Sequence, residues 1–345
     1  MKKWLLGKNI QELQEMVAEY GLPSYTADQL ARWLYANKVR DISQMTNLSK
    51  KVRETLAETW QVGGWDPIEE RISEDGTKKY LFPTLSGSSG IEAVLIPENN
   101  RNTLCLSSQV GCKMGCAFCM TARMGFLGQL TAGEIVGQFL RIPETDLLTN
   151  VVYMGMGEPL DNWPQVQKSL EILTSPWGLG WSPGRITVST AGILPVLDDF
   201  MNGTRAHLAI SLHSPYDEER AQLMPLQKAY PLSSLIRTLR TYDFTGQRRL
   251  SFEYILFDGW NDTPGHAAAV LQLLRGLPCR VNLIRFHPIP DFSMSPSSEG
   301  AIQAFKDLLN RGGVFTTVRA SRGLDILAAC GMLSVQSKEK RNEAD

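Results

Sequence analysis

The sequence predicts an α/β protein: a partial (β/α)6-type barrel of parallel strands with an N-terminal helical accessory domain and a β-hairpin extension. Two observations carry this. After residue 107, six short β-rich runs alternate with helical patterns, the order that builds parallel sheets. Before that, a helical period over the first 60 residues gives way near Trp65 to strand-like alternation. The chain divides into a helical accessory domain (1–60), a strand extension (61–97), an α/β core (98–333) and a solvated tail (334–345).

In chain order, Ile10, Leu13, Val17 and Tyr20 recur at helical spacing. Thr26 with Gln29 reads as a capping box for a second helix presenting Leu30, Trp33 and Leu34, and Ser49 caps a third through Val52 and Leu56. Strands at 68–73 and 78–82 flank Asp75-Gly76, a dipeptide suited to a tight hairpin turn. Strands at 90–97 and 102–107 follow, joined across Glu98-Asn-Asn-Arg. The core strands fall at 150–154, 185–189, 207–212, 251–256, 281–286 and 314–319, with helices near 131–141, 164–173, 192–201, 231–242, 263–275 and 298–311. Ligand chemistry in such sheets gathers at the carboxyl ends of the strands.

Bulk properties bound the function. No run of 18 apolar residues exists, and the first residues, Met1-Lys-Lys-Trp-Leu-Leu-Gly, lack a signal peptide's apolar region and cleavage site. The expectation is a cytoplasmic protein without membrane contact, taken as a monomer. A net charge of -1 gives no global sign of nucleic acid, so an RNA site would be a local basic patch. Candidates are Lys50, Lys51 and Arg53 on the third helix, then Arg101, Lys113, Arg123, Arg319 and Arg322 beside the active loops.

Three of the six cysteines crowd into one loop: Cys112, Cys116 and Cys119 form Cys-x3-Cys-x2-Cys, with no fourth cysteine or histidine nearby. Three thiolates can hold three irons of a [4Fe-4S] cluster and leave the fourth open to a ligand, as S-adenosylmethionine radical chemistry requires. A structural zinc site needs four ligands, usually as two separated pairs; a zinc-stabilised, non-catalytic RNA-binding protein is the alternative this leaves. Met154-Gly-Met-Gly-Glu-Pro ends the next strand, and there Gly157 admits close backbone approach while Glu158 can accept from an ammonium group. Ser189, Ser211, Leu212, His213 and Asn282 fall at later strand ends, where hydroxyl, imidazole and amide groups suit ribose and carboxylate. Taken alone, Cys105, Cys279 and Cys330 read equally as buried small hydrophobes.

Thr103-Leu-Cys-Leu-Ser-Ser-Gln-Val-Gly-Cys, Met154-Gly-Met-Gly-Glu-Pro-Leu, Ser211-Leu-His-Ser-Pro, Val281-Asn-Leu-Ile and Asp325-Ile-Leu-Ala-Ala-Cys-Gly-Met together resemble the RlmN/Cfr family of radical S-adenosylmethionine RNA methyltransferases, over about residues 90–333. The helical region at 1–60 is similar to that family's accessory domain. The resemblance implies a radical S-adenosylmethionine barrel in which Cys112, Cys116 and Cys119 bind one [4Fe-4S] cluster. It implies that Gly157, Glu158, Ser189, Ser211, Leu212, His213 and Asn282 contact S-adenosylmethionine, two molecules of which are used per turnover. Cys330 is then the methyl carrier: one S-adenosylmethionine methylates it, and a radical from the second removes hydrogen from the new S-methyl group. The resulting carbon radical adds to adenine, whose carbons 2 and 8 are electron-poor and do not attack a sulfonium. Glu92 matches the family's proton acceptor, and Cys105 forms a transient disulfide with Cys330 to release the base. The implied partners are 23S rRNA, tRNA and an electron-donor protein such as flavodoxin or ferredoxin. The RlmN branch methylates carbon 2 of an rRNA adenine (A2503) and of tRNA A37; the Cfr branch methylates carbon 8 of the same rRNA base. Arg319 to Gly323 looks like the first branch, while Ser214-Pro-Tyr-Asp-Glu-Glu-Arg and Leu283-Ile-Arg-Phe look like the second, and His287-Pro-Ile-Pro departs from both. Carbon 2 is the favoured expectation.

Overall fold

The computed structural model describes residues 2–87 and 89–335; the expected solvated tail lies, beyond Val335, outside the described residues. The N-terminal region consists of β1 (Lys3–Trp4), α1 (Ile10–Glu19), α2 (Thr26–Ala31), α3 (Lys50–Thr59) and β2 (Trp60–Gln61), with β1 and β2 paired in parallel. Asn9 and Glu12 form the capping box of α1, and Ser49 accepts from Val52 N–H at the start of α3. The box read at Thr26 and Gln29 does not form. Thr26 is already helical and buried, because the turn starts earlier: Thr26 N–H donates to Pro23 O and Ala27 N–H to Ser24 O. This region is fastened to the core by backbone contact. A Cβ on Gly7 would meet Gly133 N at 2.2 Å, so no larger residue fits there.

The remaining elements are β3 (Glu69–Ile72), β4 (Lys78–Phe82), β5 (Ile91–Glu98), β6 (Arg101–Cys105), β7 (Gln109–Gly111), α4 (Met120–Arg123), β8 (Phe126–Gln129), α5 (Ala132–Leu140), β9 (Asn150–Tyr153), α6 (Trp163–Thr174), β10 (Ile186–Thr190), α7 (Leu194–Gly203), β11 (His207–Ser211), α8 (Asp217–Leu223), α9 (Leu232–Leu239), β12 (Leu250–Leu256), α10 (Pro264–Leu274), β13 (Arg280–Arg285), α11 (Glu299–Arg311) and β14 (Phe315–Val318). One ten-stranded sheet runs in the order β14-β13-β12-β11-β10-β9-β6-β5-β4-β3. From β6 to β14 it is parallel, and β3, β4 and β5 extend it antiparallel beyond β6. The hairpin extension is thus part of the core sheet.

The barrel is partial because β14 and β3 do not pair. The segment after β14 crosses between them instead. Gly323 N–H donates to Asp75 Oδ2 (3.0 Å), Ser73 Oγ to Asp325 Oδ1 (2.5 Å) and Lys79 Nζ to Leu327 O (3.2 Å). These bonds strap the C-terminal segment to the β3–β4 hairpin.

Register separates the two sheet faces. Val151, Tyr153, Ile186, Val188, Leu208, Ile210, Phe252, Tyr254, Val281 and Leu283 are buried and form the apolar face. The partner rows Cys105–Val152–Thr187–His207 and Ser211–Glu253–Asn282–Thr317 lie on the other face, with Ser189 and Ser251. That face is polar, and all of these except buried Cys105 and Glu253 are half-buried.

Candidate active site

The cysteine loop joins β7 to α4, and β7 pairs with β8 to fix its two ends. Cys112 N–H donates to Gly125 O, Cys119 N–H to Cys116 O, and Ala117 N–H to Leu223 O. Cys112 is buried, while Cys116 and Cys119 are half-buried. Burial pushes Cys112 up to about 12 and Cys116 well above a free thiol, and the neighbouring thiols add to both. Three cysteines on one short loop offer soft sulfur ligands, which suit an iron–sulfur cluster. Among the described residues no three His, Cys, Asp or Glu side chains converge on one point as a single-ion site requires. Cluster thiolates each bind a different iron and share no such centre.

Above β9, Gly157 has φ +96°, and a Cβ there would meet the Gln109 Cβ at 2.4 Å. This close packing lets Gln109 Oε1 accept from Glu158 N–H (2.8 Å). Glu158 is buried; its Oε1 accepts from Leu160 N–H (3.0 Å) and Oε2 from Ala191 N–H (2.8 Å). Burial pushes its carboxyl up to about 7 despite hydrogen bonds from Thr190, Ala191 and Leu160. These three donors leave one of about four lone-pair sites on the carboxylate, so Glu158 retains capacity for an ammonium ligand.

Ser189 and Ser211 stand half-buried on the inner face. Leu212 differs: its side chain is wholly buried and its N–H donates to Glu253 O, so it offers a ligand no free surface. His213 is buried at φ +59°, its Nδ1 accepting from Ile255 N–H (3.1 Å). Burial first, and then the Arg220 charge, lower it to about 3, so it is neutral with the proton on Nε2, a donor. Asn282 donates to Glu253 Oε1 (2.8 Å) and accepts from Thr317 Oγ1 (2.8 Å).

Cys330 lies on the C-terminal strap between the cluster loop and β5. Gly331 O accepts from Met120 N–H (2.7 Å), beside Cys119, and Ser334 N–H donates to Glu92 Oε2 (3.0 Å). Ser334, expected in the solvated tail, is therefore half-buried and held. Cys330 is solvent-exposed. Burial raises Cys105 to about 12, and the Cys330 thiol adds to that rise. Cys279 is half-buried at the edge of the core, away from this group.

Two participants were not foreseen from sequence: Lys79, in an ion pair with Glu92 (3.0 Å), and Glu253, which pairs with Arg319 (3.0 Å). The available signal was a charge inside an otherwise apolar strand, in Lys78-Lys-Tyr-Leu-Phe and Ser251-Phe-Glu-Tyr-Ile. Arg319, a candidate for phosphate, is instead turned to Glu253 and acts on both Cys330 and Cys105. Lys113 pairs with Asp161 (2.9 Å), and Arg123 donates to Pro290 O and Asp291 O. A hollow of about 550 Å³ lined by Pro215, Tyr216, Leu232 and Leu273 holds none of the site residues named above.

Residues 4–62 match the ribosomal RNA large subunit methyltransferase N-terminal domain, and residues 106–269 match the radical SAM superfamily. Over 340 residues the chain is 52% identical to the probable dual-specificity RNA methyltransferase RlmN of Bacteroides thetaiotaomicron, covering 99% of this chain and 98% of that one. This chain belongs to the RlmN family. The dual-specificity RNA methyltransferase RlmN of Syntrophus aciditrophicus is 42% identical over 96% of the chain and 97% of its own length. The crystal structure of a radical SAM methyltransferase from Sphaerobacter thermophilus superposes with a TM-score of 0.90 at 40% identity, covering 96% of this chain and 99% of that one. As an RlmN family member with the radical SAM fold, the protein is an RNA methyltransferase of the radical S-adenosylmethionine type, and the family implies S-adenosylmethionine and an iron–sulfur cluster. Among the described residues no helix is long and apolar enough to cross a membrane.

Proposed function

We propose that the protein methylates carbon 2 of adenine in 23S rRNA (A2503) and in tRNA (A37) through a methylated Cys330. The observation that carries this is the arrangement around the C-terminal strap, which holds Cys330 between the three-cysteine loop on one side and Glu92 on the other.

Cys112, Cys116 and Cys119 would hold a [4Fe-4S] cluster, with Gly157, Glu158, Ser189, Ser211, His213 and Asn282 around S-adenosylmethionine and Leu212 supporting them from the core. Bound together, cluster and S-adenosylmethionine supply an electron and a carbon radical able to take hydrogen from an S-methyl group. Before that, the Cys330 thiol loses its proton and Sγ takes a methyl group by displacement from a sulfonium, giving a neutral thioether. The Arg319 cation favours the thiolate of this exposed cysteine. Glu92 is buried, and desolvation raises its carboxyl above the usual range against the pull of Lys79, which suits it to take the proton lost from the adenine carbon as the radical adduct returns one electron to the electron-transfer chain that supplied it. The Cys105 thiol then gives up its proton as its sulfur attacks Sγ of Cys330, and that proton is available to the carbon released. A disulfide forms, the sulfur–carbon bond to the base breaks, and the released carbon takes up a proton as methyl. The cytoplasm, where such RNA and a flavodoxin or ferredoxin donor are found, is the compartment this reading requires, and a monomer suffices.

Mass spectrometry of nucleosides after anaerobic reaction of the reconstituted enzyme with unmodified RNA, S-adenosylmethionine and a reductant tests the reading. 2-Methyladenosine is the expected product. 8-Methyladenosine would transfer the protein to the Cfr branch, and S-adenosylmethionine cleavage without methylated adenosine would point to another substrate.

A further inference from the structure

Arg220, on α8, is among the largest fully buried side chains of the protein. Its guanidinium donates to Gln227 Oε1, Ala191 O (2.7 Å) and Ser211 O (2.9 Å), all neutral acceptors. Its Nε is buried without a partner, and no carboxylate pairs with it among the described residues. Asp217 makes no contact with it and acts from one hydrogen bond further out, its Oδ1 accepting from Gln227 Nε2 (2.6 Å). A buried, unpaired cation costs several kcal/mol unless an anion compensates it. Helix α8 seats Arg220 against the cysteine loop: Ala117 N–H, next to Cys116, donates to Leu223 O of α8 (2.9 Å), and Leu223 and Met224 pack with Cys116 and Phe118. A four-iron cluster carried by three thiolates is net anionic and gains a further negative charge on reduction.

We propose that the Arg220 guanidinium is the fixed counter-charge of the iron–sulfur cluster held by Cys112, Cys116 and Cys119, and raises its reduction potential. This rests on the cluster reading above. A cation held close in a low-dielectric interior favours the reduced, more negative cluster. Its three hydrogen bonds to Gln227, Ala191 and Ser211 keep the charge in place, at the ends of β10 and β11.

The test is a redox titration of the reconstituted protein without S-adenosylmethionine, followed by electron paramagnetic resonance. The proteins compared are wild type, Arg220→Lys, Arg220→Met and the double variant Asp217→Asn with Gln227→Glu. The double variant exchanges amide and carboxylate, so the hydrogen bonds and volumes persist while an anion is moved into contact with Arg220. It decides the matter should Arg220→Met fail to take up a cluster. The expected result is that Arg220→Lys stays near wild type, while Arg220→Met and the double variant lose about tenfold in reduced-to-oxidised ratio at a fixed potential, equal to about 59 mV for one electron. An unchanged potential in the double variant overturns the proposal, as does an equal loss in Arg220→Lys, which would report lost loop positioning. Weakened S-adenosylmethionine binding at unchanged potential would instead assign the counter-anion to that ligand's carboxylate. A wild-type protein that binds no four-iron cluster would remove the underlying reading itself.

Discussion

Lys79 Nζ lies 3.0 Å from Glu92 Oε1, both side chains buried, on strands β4 and β5 of the hairpin extension. Each partner also grips the strap that carries Cys330: Lys79 through Leu327 O and Glu92 through Ser334 N–H. Lys79→Met leaves a buried carboxylate unpaired, and a loss of about 3–5 kcal/mol in urea unfolding at pH 8 is expected. Because Glu92 can then take a proton, the loss shrinks as pH falls. Adding Glu92→Gln to Lys79→Met should restore part of the stability, and strict additivity of the two changes would refute the coupling.

Under the proposed reaction, removing Cys330 and removing Cys105 should have different effects. Cys330→Ala is expected to abolish RNA methylation and the 14 Da gain of the protein that a methylated cysteine implies, both read by mass spectrometry. Cys105→Ala should still take up methyl at Cys330 but remain covalently bound to RNA, visible as a shifted band in denaturing gels. Free methylated RNA from Cys105→Ala would exclude a releasing role for that thiol.

Glu158 should make the cofactor-free protein less stable as pH rises. Its carboxyl has a folded-state value of about 7 against an ordinary 4.5, so the unfolded chain gives up the proton first. The stability tied to the protonated form is complete below about pH 4.5, declines up to about pH 7, and is constant above, with a total near 3 kcal/mol. The difference in unfolding free energy between wild type and Glu158→Gln should follow that curve. A flat difference from pH 5 to 8 would show that the carboxyl is not perturbed.

Gly157→Ala combines a left-handed backbone with a clash against Gln109. The strain is worth about 1–3 kcal/mol, and relieving it moves the Glu158 loop. A drop of at least tenfold in S-adenosylmethionine affinity by calorimetry is expected, and wild-type affinity would show that the loop tolerates the shift.

Much of this protein follows from short-range signals in the chain. Alternation of β-rich and helical runs determines the parallel core, because strand and helix periods are local properties of sequence. The spacing of Cys112, Cys116 and Cys119 on one loop identifies the thiolate set in the same way. The capping box at Thr26 was misread because two upstream carbonyls, at Pro23 and Ser24, start the turn earlier. What no local pattern contains is pairing over long separations. The ion pair Lys79–Glu92 needs the pairing of β4 with β5, and Glu253–Arg319 and the Ala191 carbonyl that binds Arg220 join residues brought together only when the parallel sheet assembles. Sequence proposed which groups carry the chemistry. Tertiary structure alone decided which buried charges are paired, because the cost of burying a charge depends on the partners that the whole fold delivers to it.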